Sequence, residues 1–253
     1  MPTAERSNRL PITWWQCDAE NNAIGSVSNS RGLTSVVPGG NGANKAGNLV
    51  IAVVYTQVQP TGAWTNTLDS AQGWNAIGTA SGVQYDSTNF GRIGIYWKIN
   101  AGNLGALSST TFPGSSTHAS LVCEFFTPGG WNPSAFDVGA DASSVGTTSL
   151  VSGSVTPTTD HGLAIALLGA NASITNPAFT NGFLLQRPTM NVNFQTPNPL
   201  FSFAWREYTS TAAFTTTASW TTSSNTGLRV ATFKALPAFD PDATLLRTGE
   251  RKA

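Results

Sequence analysis

The stretch GNLVIAVVY, residues 47–55, decides the fold class, because an unbroken aliphatic run of this length is typical of a strand buried on both faces of a sheet. The stretch HGLAIALL, residues 161–168, has the same character in the second half of the chain. Each run opens a series with the same order: a Gly-aromatic pair, an aromatic strand, a short pair ending in Phe and a closing apolar strand. The first series continues through Gly73-Trp74, residues 93–99, Thr111-Phe112 and residues 121–126, and the second through Gly182-Phe183, residues 201–207, Ala213-Phe214 and residues 228–233.

This repetition predicts a duplicated antiparallel β unit whose two halves share one core. The composition agrees, because apolar residues make up 40% of the chain and occur in short runs separated by turn formers, including 25 Gly and 14 Pro. A chain of 253 residues is long enough for one sandwich domain with a large core. The sequence therefore predicts an all-β fold, an antiparallel two-sheet β-sandwich of jelly-roll type with internal duplication.

The sequence divides into three segments. Residues 1–44 form an N-terminal strand, starting near Ile12, and a Gly/Ser/Asn-rich lead-in, and this strand joins the duplicated β-sandwich of residues 45–237 in one domain. Residues 238–253 form an extended C-terminal arm. The first ten residues and this arm hold nine of the 26 charged residues. They are interpreted either as frayed ends or as tails that dock on a neighbouring subunit.

Local patterns predict further β structure between the repeats. Residues 136–138 and 149–151 are short apolar groups that indicate short strands leading into the second half. The Thr-rich passage at residues 209–226 favours exposed β structure, because β-branched side chains suit a pleated, half-wet surface. No segment predicts a helix longer than a turn or two.

Charge and hydropathy exclude several classes of partner. The 13 basic and 13 acidic residues give a net charge of zero without a basic run, so no nucleic-acid partner is expected. The first nine residues are polar, and no apolar stretch approaches the roughly 20 residues of a membrane span. We therefore expect synthesis in the cytoplasm without a signal peptide and no membrane partner, although the protein can still leave the cell inside a larger particle.

The sequence predicts no catalytic residue and no enzyme. His118 and His161 are the only histidines, and no nucleophile motif accompanies them, so an exposed or capping role is expected. Asp160 is a poor orienting partner for His161, since adjacent strand residues point to opposite faces. Glu124 and Glu207 occupy roughly equivalent repeat positions beside aromatic residues. A glycosidase-like acid and base pair is the minor alternative there to two solvent-facing charges.

No metal or cofactor is expected either. Asp137 with Asp141, and Asp86 with Asn89, fall in predicted loops, but neither pair has the dense oxygen spacing of a calcium motif. Calcium at such a loop stays an open alternative. The glycine-rich turn at residues 38–42 lacks the Lys-Ser/Thr of a phosphate-binding loop.

The two cysteines, Cys17 and Cys123, each lie in an apolar, strand-like run. They are interpreted as small buried hydrophobic residues. A disulfide between them would need a spatial proximity that sequence does not show.

The eight tryptophans fall into two groups. Those in or beside apolar strands are expected to fill the core; they are Trp14, Trp15, Trp74, Trp97 and Trp205. Trp64, Trp131 and Trp220 lie instead among Thr, Asn, Gly and Pro, where a partly exposed indole can stack on a sugar ring or enter a subunit contact. These three are the candidate glycan-contact or subunit-contact residues, with simple edge packing as the alternative.

The order of several motifs resembles a β-sandwich family of tailed bacteriophages, whose members are often labelled minor tail proteins or virion appendage proteins. The resemblance covers roughly residues 45–237 and rests on AGNLVIA (46–52), GWNAIG (73–78), IYWKINAG (95–102), DHGLAIA (160–166) and Gly182-Phe183. It implies a structural or host-surface-binding role in a virion, with no catalytic residues to carry over. Related sandwiches also occur in carbohydrate-binding modules. This chain departs from the family in its brevity, without a collagen-like or coiled-coil stalk, so we expect attachment through the termini or a sandwich face.

We therefore expect a structural component of a tailed-phage virion that is made in the host cytoplasm, is tail-associated and contacts the host surface. The expected partners are other virion subunits, further copies of the chain in a trimer, and a host cell-surface glycan. One alternative is a capsid-decorating virion protein. Another is a soluble carbohydrate-binding β-sandwich module that grips polysaccharide through the three candidate tryptophans.

Overall fold

The computed structural model describes residues 11–22, 46–58, 73–78, 83–86, 91–101, 116–171, 174, 176–185 and 201–237. Within this part of the chain every regular element is a β-strand, and no helix there could cross a membrane. The strands are β1 (Thr13–Asn22), β2 (Leu49–Val58), β3 (Asn75–Ala76), β4 (Val83–Asp86), β5 (Gly91–Ile99), β6 (Ser116–Phe126), β7 (Trp131–Val151), β8 (Gly162–Ala170), β9 (Ala178–Phe179), β10 (Leu184–Leu185), β11 (Phe201–Tyr208) and β12 (Thr217–Ala235). Several expectations lie outside the described residues; they concern residues 1–10, 38–42, 238–253, Trp64, Asn89 and Thr111-Phe112.

Two antiparallel sheets reproduce the duplication. The described strands form two six-stranded sheets, one in the order β1-β6-β2-β5-β3 with β4 beside β5, and the other in the order β7-β12-β8-β11-β10 with β9 beside β12. The five strands along each main order match, so that β8 is the counterpart of β2, β11 of β5 and β12 of β6, whereas β4 and β9 join different positions. The predicted antiparallel two-sheet β-sandwich with internal duplication is confirmed.

The strand register gives the same correspondence residue by residue. Ile51 of β2 pairs with Trp97 of β5, and Ile165 of β8 pairs with Trp205 of β11. Trp97 and Trp205 are therefore equivalent, as are the basic residues that follow them. The two halves therefore share the residue pairing between strands as well as the strands themselves.

The connectivity differs from a jelly roll in one respect. Each half of the chain forms one whole sheet by itself, whereas the chain of a jelly roll runs between its two sheets. The reason is that the strands of each half find all their partners within that half. The jelly-roll part of the expectation therefore does not describe this chain, although the sandwich architecture does.

The two sheets pack face to face through one apolar core. Phe125 of β6 and Phe233 of β12 occupy equivalent positions, each opposite the first leucine of its central strand, and both are fully buried. Trp97 meets Phe233 edge-on with 6.3 Å between ring centroids, and Trp205 meets Phe125 in the same way at 5.6 Å. Each half supplies an aromatic partner to the other, and these contacts hold the halves together as one core.

The outer face of the second sheet is buried too. Val155, Ile174 and Phe183, from segments that follow β7, β8 and β9, pack over it in a second apolar cluster. All nine residues of β8 are therefore buried, as the aliphatic run at residues 161–168 predicts.

β7 and β12 form the longest strand pair of the described chain. They span 21 and 19 residues, whereas their counterparts β1 and β6 span 10 and 11. The short strands predicted at residues 136–138 and 149–151 are both parts of β7. They merge because pairing with β12 continues through several β-bulges from Trp131↔Ala235 to Val151↔Thr217.

The predicted burial of Cys123 is confirmed, because it is 1% exposed and lies in the core. It is also disulfide-bonded, and Cys17 is the only other cysteine of the chain. The register of β1 and β6 places the two Cα atoms directly opposite each other, which is the proximity that sequence alone does not show. The disulfide joins the edge strand β1 to the rest of the first sheet.

Candidate functional site

Two of the three candidate contact tryptophans are buried in this chain. Trp131 and Trp220 are each 5% exposed. The indole of Trp131 donates a hydrogen bond to the carbonyl of Phe125 at 3.1 Å, and Trp220 packs in the apolar cluster on the outer face of the second sheet. Neither ring is exposed enough in this chain to be a platform for a sugar. Trp64 lies outside the described residues.

Glu124 and Glu207 are not equivalent, in contrast to the prediction. Glu124 lies on β6 and Glu207 on β11, and the counterpart of β6 is β12. The carboxylate of Glu124 is fully buried and accepts hydrogen bonds from the side-chain amides of Asn48 at 2.9 Å and Asn100 at 3.2 Å. These donors satisfy a buried charge, so Glu124 joins three strands rather than forming half of an acid and base pair.

His161 and Glu207 form a buried pair at one end of the sandwich. His161 is 5% exposed, which corrects the expectation of an exposed or capping residue. Its Nε2 lies 2.8 Å from Oε1 of Glu207, so Glu207 and not Asp160 orients the ring. His118 lies on β6, and its side chain is outside the described part of the chain.

The same pair bonds the residue before β1 and the last residue of β12. Oε2 of Glu207 accepts a hydrogen bond from the backbone N–H of Ile12 at 3.4 Å, and the carbonyl of His161 accepts one from the N–H of Ala235 at 3.3 Å. We call this group, formed by Ile12, His161, Glu207 and Ala235, the terminal end. Nδ1 of His161 is buried without a hydrogen-bond partner, so the pair lacks the nucleophile contact that a catalytic triad requires.

Tyr208 lies beside the terminal end and has a strongly shifted pKa. Its hydroxyl lies 3.3 Å from Oγ1 of Thr159 and 3.4 Å from the carbonyl of Phe233. Burial raises the pKa of Tyr208 to about 12, and the negative charges of Asp137 and Asp160 add to the rise, while the hydrogen bond with Thr159 opposes it. The fold therefore favours the neutral phenol.

This shift predicts a pH dependence of stability. The folded pKa of about 12 exceeds the ordinary value of 10.0, so the contribution of Tyr208 is fully present below pH 10 and is lost as the pH rises towards 12. We expect the free energy of unfolding in urea to fall more steeply over this range for the natural chain than for Tyr208→Phe. Identical slopes in the two proteins would contradict the prediction.

Arg229 connects the two sheets from a buried position. It is 3% exposed, and its Nε and Nη2 donate to the two carboxylate oxygens of Asp141 at 2.6 and 2.7 Å. Its Nη1 donates to the carbonyl of Ile77, in the turn after β3, at 2.7 Å. Gly78 leaves room for this guanidinium, because a Cβ there would lie 2.7 Å from Nη2. The side chain of Arg229 therefore joins the second sheet to the edge of the first.

The acidic residues for which calcium is an open alternative do not lie in loops as predicted. Asp137 and Asp141 lie within the strand β7, and their carboxylates have protein partners: Arg229 bonds Asp141, and Thr158 donates to both oxygens of Asp137 at 2.7 and 2.6 Å. Asp86 ends β4. Over the described ranges, no three His, Cys, Asp or Glu side chains are grouped as metal ligands.

A cation over an aromatic ring occurs at equivalent places in the two halves. The Gly-aromatic turns share φ values of 76° and 75° at their glycines, a left-handed conformation that glycine adopts without strain. Nζ of Lys98 lies 4.6 Å from the ring centroid of Trp74, and the guanidinium of Arg206 lies 5.3 Å from Phe183 and 4.0 Å from Phe214. Burial lowers the pKa of both Lys98 and Arg206. These repeated contacts cover the outer faces of the sheets.

Among the described strands, β7 and β12 extend further than their counterparts β1 and β6. We define the ribbon as residues 144–151 of β7 and residues 217–226 of β12, which continue past the last pair that β12 makes with β8. It contains no charged residue, and bulges interrupt its ladder. One face of the ribbon packs on the second sheet, because Ala218 and Trp220 are buried in the outer apolar cluster and β12 pairs there with β9. The other face is exposed, with Val145 and Val151 at 79% and 54%.

These observations define the class of protein: a duplicated all-β sandwich in which a buried His161–Glu207 pair holds Ile12 and Ala235, and whose second sheet extends into an uncharged ribbon. Comparison of the chain with protein families, with curated proteins and with solved structures finds no match.

Sequence reasoning missed two of these side-chain contacts. A signal for Arg229 exists, because a single basic residue within the apolar run LRVATF, residues 228–233, needs a buried acceptor. No comparable signal marks the pair of His161 and Glu207. They are separated by 46 positions and meet only through the pairing of β8 with β11.

Proposed function

We propose that the protein is a structural component of a tailed-phage virion, tail-associated as a minor tail or appendage protein. The observation that carries the proposal is the exposed face of the ribbon, which is uncharged and presents Val145 and Val151 at the surface. An exposed apolar surface of this kind suits contact with another protein. The resemblance of residues 45–237 to phage β-sandwich proteins supplies the class of particle.

The disulfide supports the same proposal. Cys123 is disulfide-bonded, and disulfides persist in oxidising surroundings rather than in a reducing cytoplasm. A virion subunit is made in the host cytoplasm but works outside the cell, where such a bond is kept. The proposed partners are other virion subunits, further copies of the chain in a trimer, and a host cell-surface glycan.

The carbohydrate-binding module is not supported to the same degree. It was based on Trp64, Trp131 and Trp220 as sugar platforms, and Trp131 and Trp220 are buried. A capsid-decorating role remains as a variant of the virion proposal, since it uses the same fold and the same ribbon.

Immunogold electron microscopy of purified particles tests the proposal, together with mass spectrometry of their proteins. We expect peptides of this chain in the particles and gold label at a regular place on the tail. Label on the head would replace tail association with capsid decoration. Serum pre-absorbed with the purified protein is the control for specific label, and a chain recovered only from the soluble fraction would overturn the proposal.

A further inference from the structure

Three buried polar side chains of β12 have no hydrogen-bond partner among the described residues. The atoms are Nε1 of Trp220, Oγ of Ser224 and Oγ1 of Thr226, and these residues are 5%, 5% and 0% exposed. A buried polar group without a partner costs free energy, so folded proteins contain few of them. Three such groups on one strand therefore point to a bound molecule that supplies the missing hydrogen bonds.

The three side chains border the same buried layer. Trp220 belongs to the apolar cluster on the outer face of the second sheet, and so do Leu228 and Val230, which follow Thr226 at alternate positions of β12. Because alternate residues of a strand point to the same face, Ser224 and Thr226 also point to that outer face. The unpartnered groups thus lie along the layer between the second sheet and the segments packed over it.

The strand ladder is irregular at the same place. Between the pairs Ser219↔Ser149 and Ser224↔Thr147, four residues of β12 lie opposite one residue of β7. A second register shift follows between Ser224 and Thr226. Bulges bend a strand and leave backbone groups unpaired. They therefore separate the packed layers beside the unpartnered side chains and leave room for a small molecule.

Elsewhere the chain pairs the buried polar groups of this face with its own atoms. Thr232 lies on the same face of β12 and is 0% exposed. Its Oγ1 donates to the carbonyl of Val138 and accepts from the N–H of the same residue, both at 3.2 Å. The contrast between Thr232 and Thr226 shows that the missing partners are a property of the bulged region and not of buried threonine in this strand.

We propose that ordered water occupies the layer beside the bulges and accepts hydrogen bonds from at least two of Trp220, Ser224 and Thr226. An indole N–H can only donate, whereas a hydroxyl can donate and accept, and water matches both. A buried water molecule makes about three hydrogen bonds to polar groups of this kind. A charged ligand fits less well, because the ribbon contains no charged residue to neutralise it. Water then joins the ribbon to the second sheet together with the apolar packing. This inference is independent of the proposed function.

A crystal structure at high resolution tests the occupant directly. We expect at least one peak of water density within about 3.2 Å of two of the three atoms. Crystals of Thr226→Val should lose the water that bonds the hydroxyl of Thr226. A dry layer, or density too large for water molecules, would overturn the proposal.

Urea unfolding of Thr226→Val and Thr232→Val provides a second test. Both substitutions keep the shape of the side chain and remove its hydroxyl, and Thr232→Val shows in the same assay what a bonded hydroxyl contributes. If the hydroxyl of Thr226 bonds water, Thr226→Val should lower the urea midpoint, as Thr232→Val does. If that hydroxyl has no partner, its replacement by an apolar methyl group should leave the midpoint unchanged or raise it. An unchanged or raised midpoint for Thr226→Val would therefore contradict a water site.

Discussion

Replacing Arg229 with alanine is expected to lower the free energy of unfolding by about 3–5 kcal/mol, the cost of breaking a buried ion pair from one side. The guanidinium is 3% exposed and bonds Asp141 and the carbonyl of Ile77. Its loss leaves the buried carbonyl without a donor, opens a cavity and removes the contact between the second sheet and the turn after β3.

Replacing Asp141 separates the energy of the ion pair from the energy of packing around Arg229. Asp141→Ala should cost a similar amount, because it leaves a buried guanidinium with one acceptor fewer, although the carboxylate itself is 44% exposed. The double variant should cost clearly less than the sum of the two single losses. Urea unfolding followed by tryptophan fluorescence, with the disulfide intact, measures all three.

Arg229→Lys is the matched control for charge. Lysine keeps the positive charge but cannot donate to both oxygens of Asp141 and to Ile77 in one planar fork. We expect it to recover only part of the loss. If Arg229→Ala and Asp141→Ala each lowered the free energy of unfolding by less than about 1 kcal/mol, the pair would behave like an exposed surface ion pair. That result would contradict the role of Arg229 in joining the two sheets.

The second large effect is expected at the two equivalent phenylalanines of the core. Phe125→Ala and Phe233→Ala should each lower the free energy of unfolding by about 3–5 kcal/mol, because both rings are fully buried and truncation leaves a cavity. The two losses should be similar in size, since each ring packs edge-on against a tryptophan of the opposite sheet.

Leu184→Ala is the matched control for these variants. Leu184 is a large apolar residue on β10 but is 61% exposed, so its truncation should change the stability by less than about 0.5 kcal/mol. Urea unfolding compares the three variants with the natural chain. If one phenylalanine mattered several-fold more than the other, the two halves would not contribute equally to one shared core.

Much of the fold could be predicted from the sequence because strand identity is a local property. The aliphatic runs at residues 49–55 and 162–168 lie in strands where the sequence indicates them, and the two Gly-aromatic pairs lie in the turns before β3 and β10. Duplication made the prediction stronger, since each half confirms the pattern of the other. The single long strand β7 escaped prediction because its middle, GADASSVGTT at residues 139–148, has no apolar alternation and is held as a strand by pairing with β12.

The candidate site was predicted far less well. Trp131 and Trp220 have polar neighbours in sequence, which predicts exposure, but burial is decided by what packs over a side chain in space. The equivalence of Glu124 with Glu207 failed for a related reason: both stand beside aromatic residues, yet the strand order assigns them to different positions of the repeat.

The sequence by itself determined that this protein is a duplicated, all-β, weakly charged sandwich with charge-rich ends, because hydrophobic period, turn residues and repeats can be read from neighbouring positions. Only the tertiary structure decided that Cys17 lies opposite Cys123, that Glu207 holds His161 and Ile12, that Arg229 joins the sheets, and that Trp131 and Trp220 are buried. Each of these depends on the register between strands far apart in the chain. A shift of one residue in that register turns every side chain of a strand to the other face.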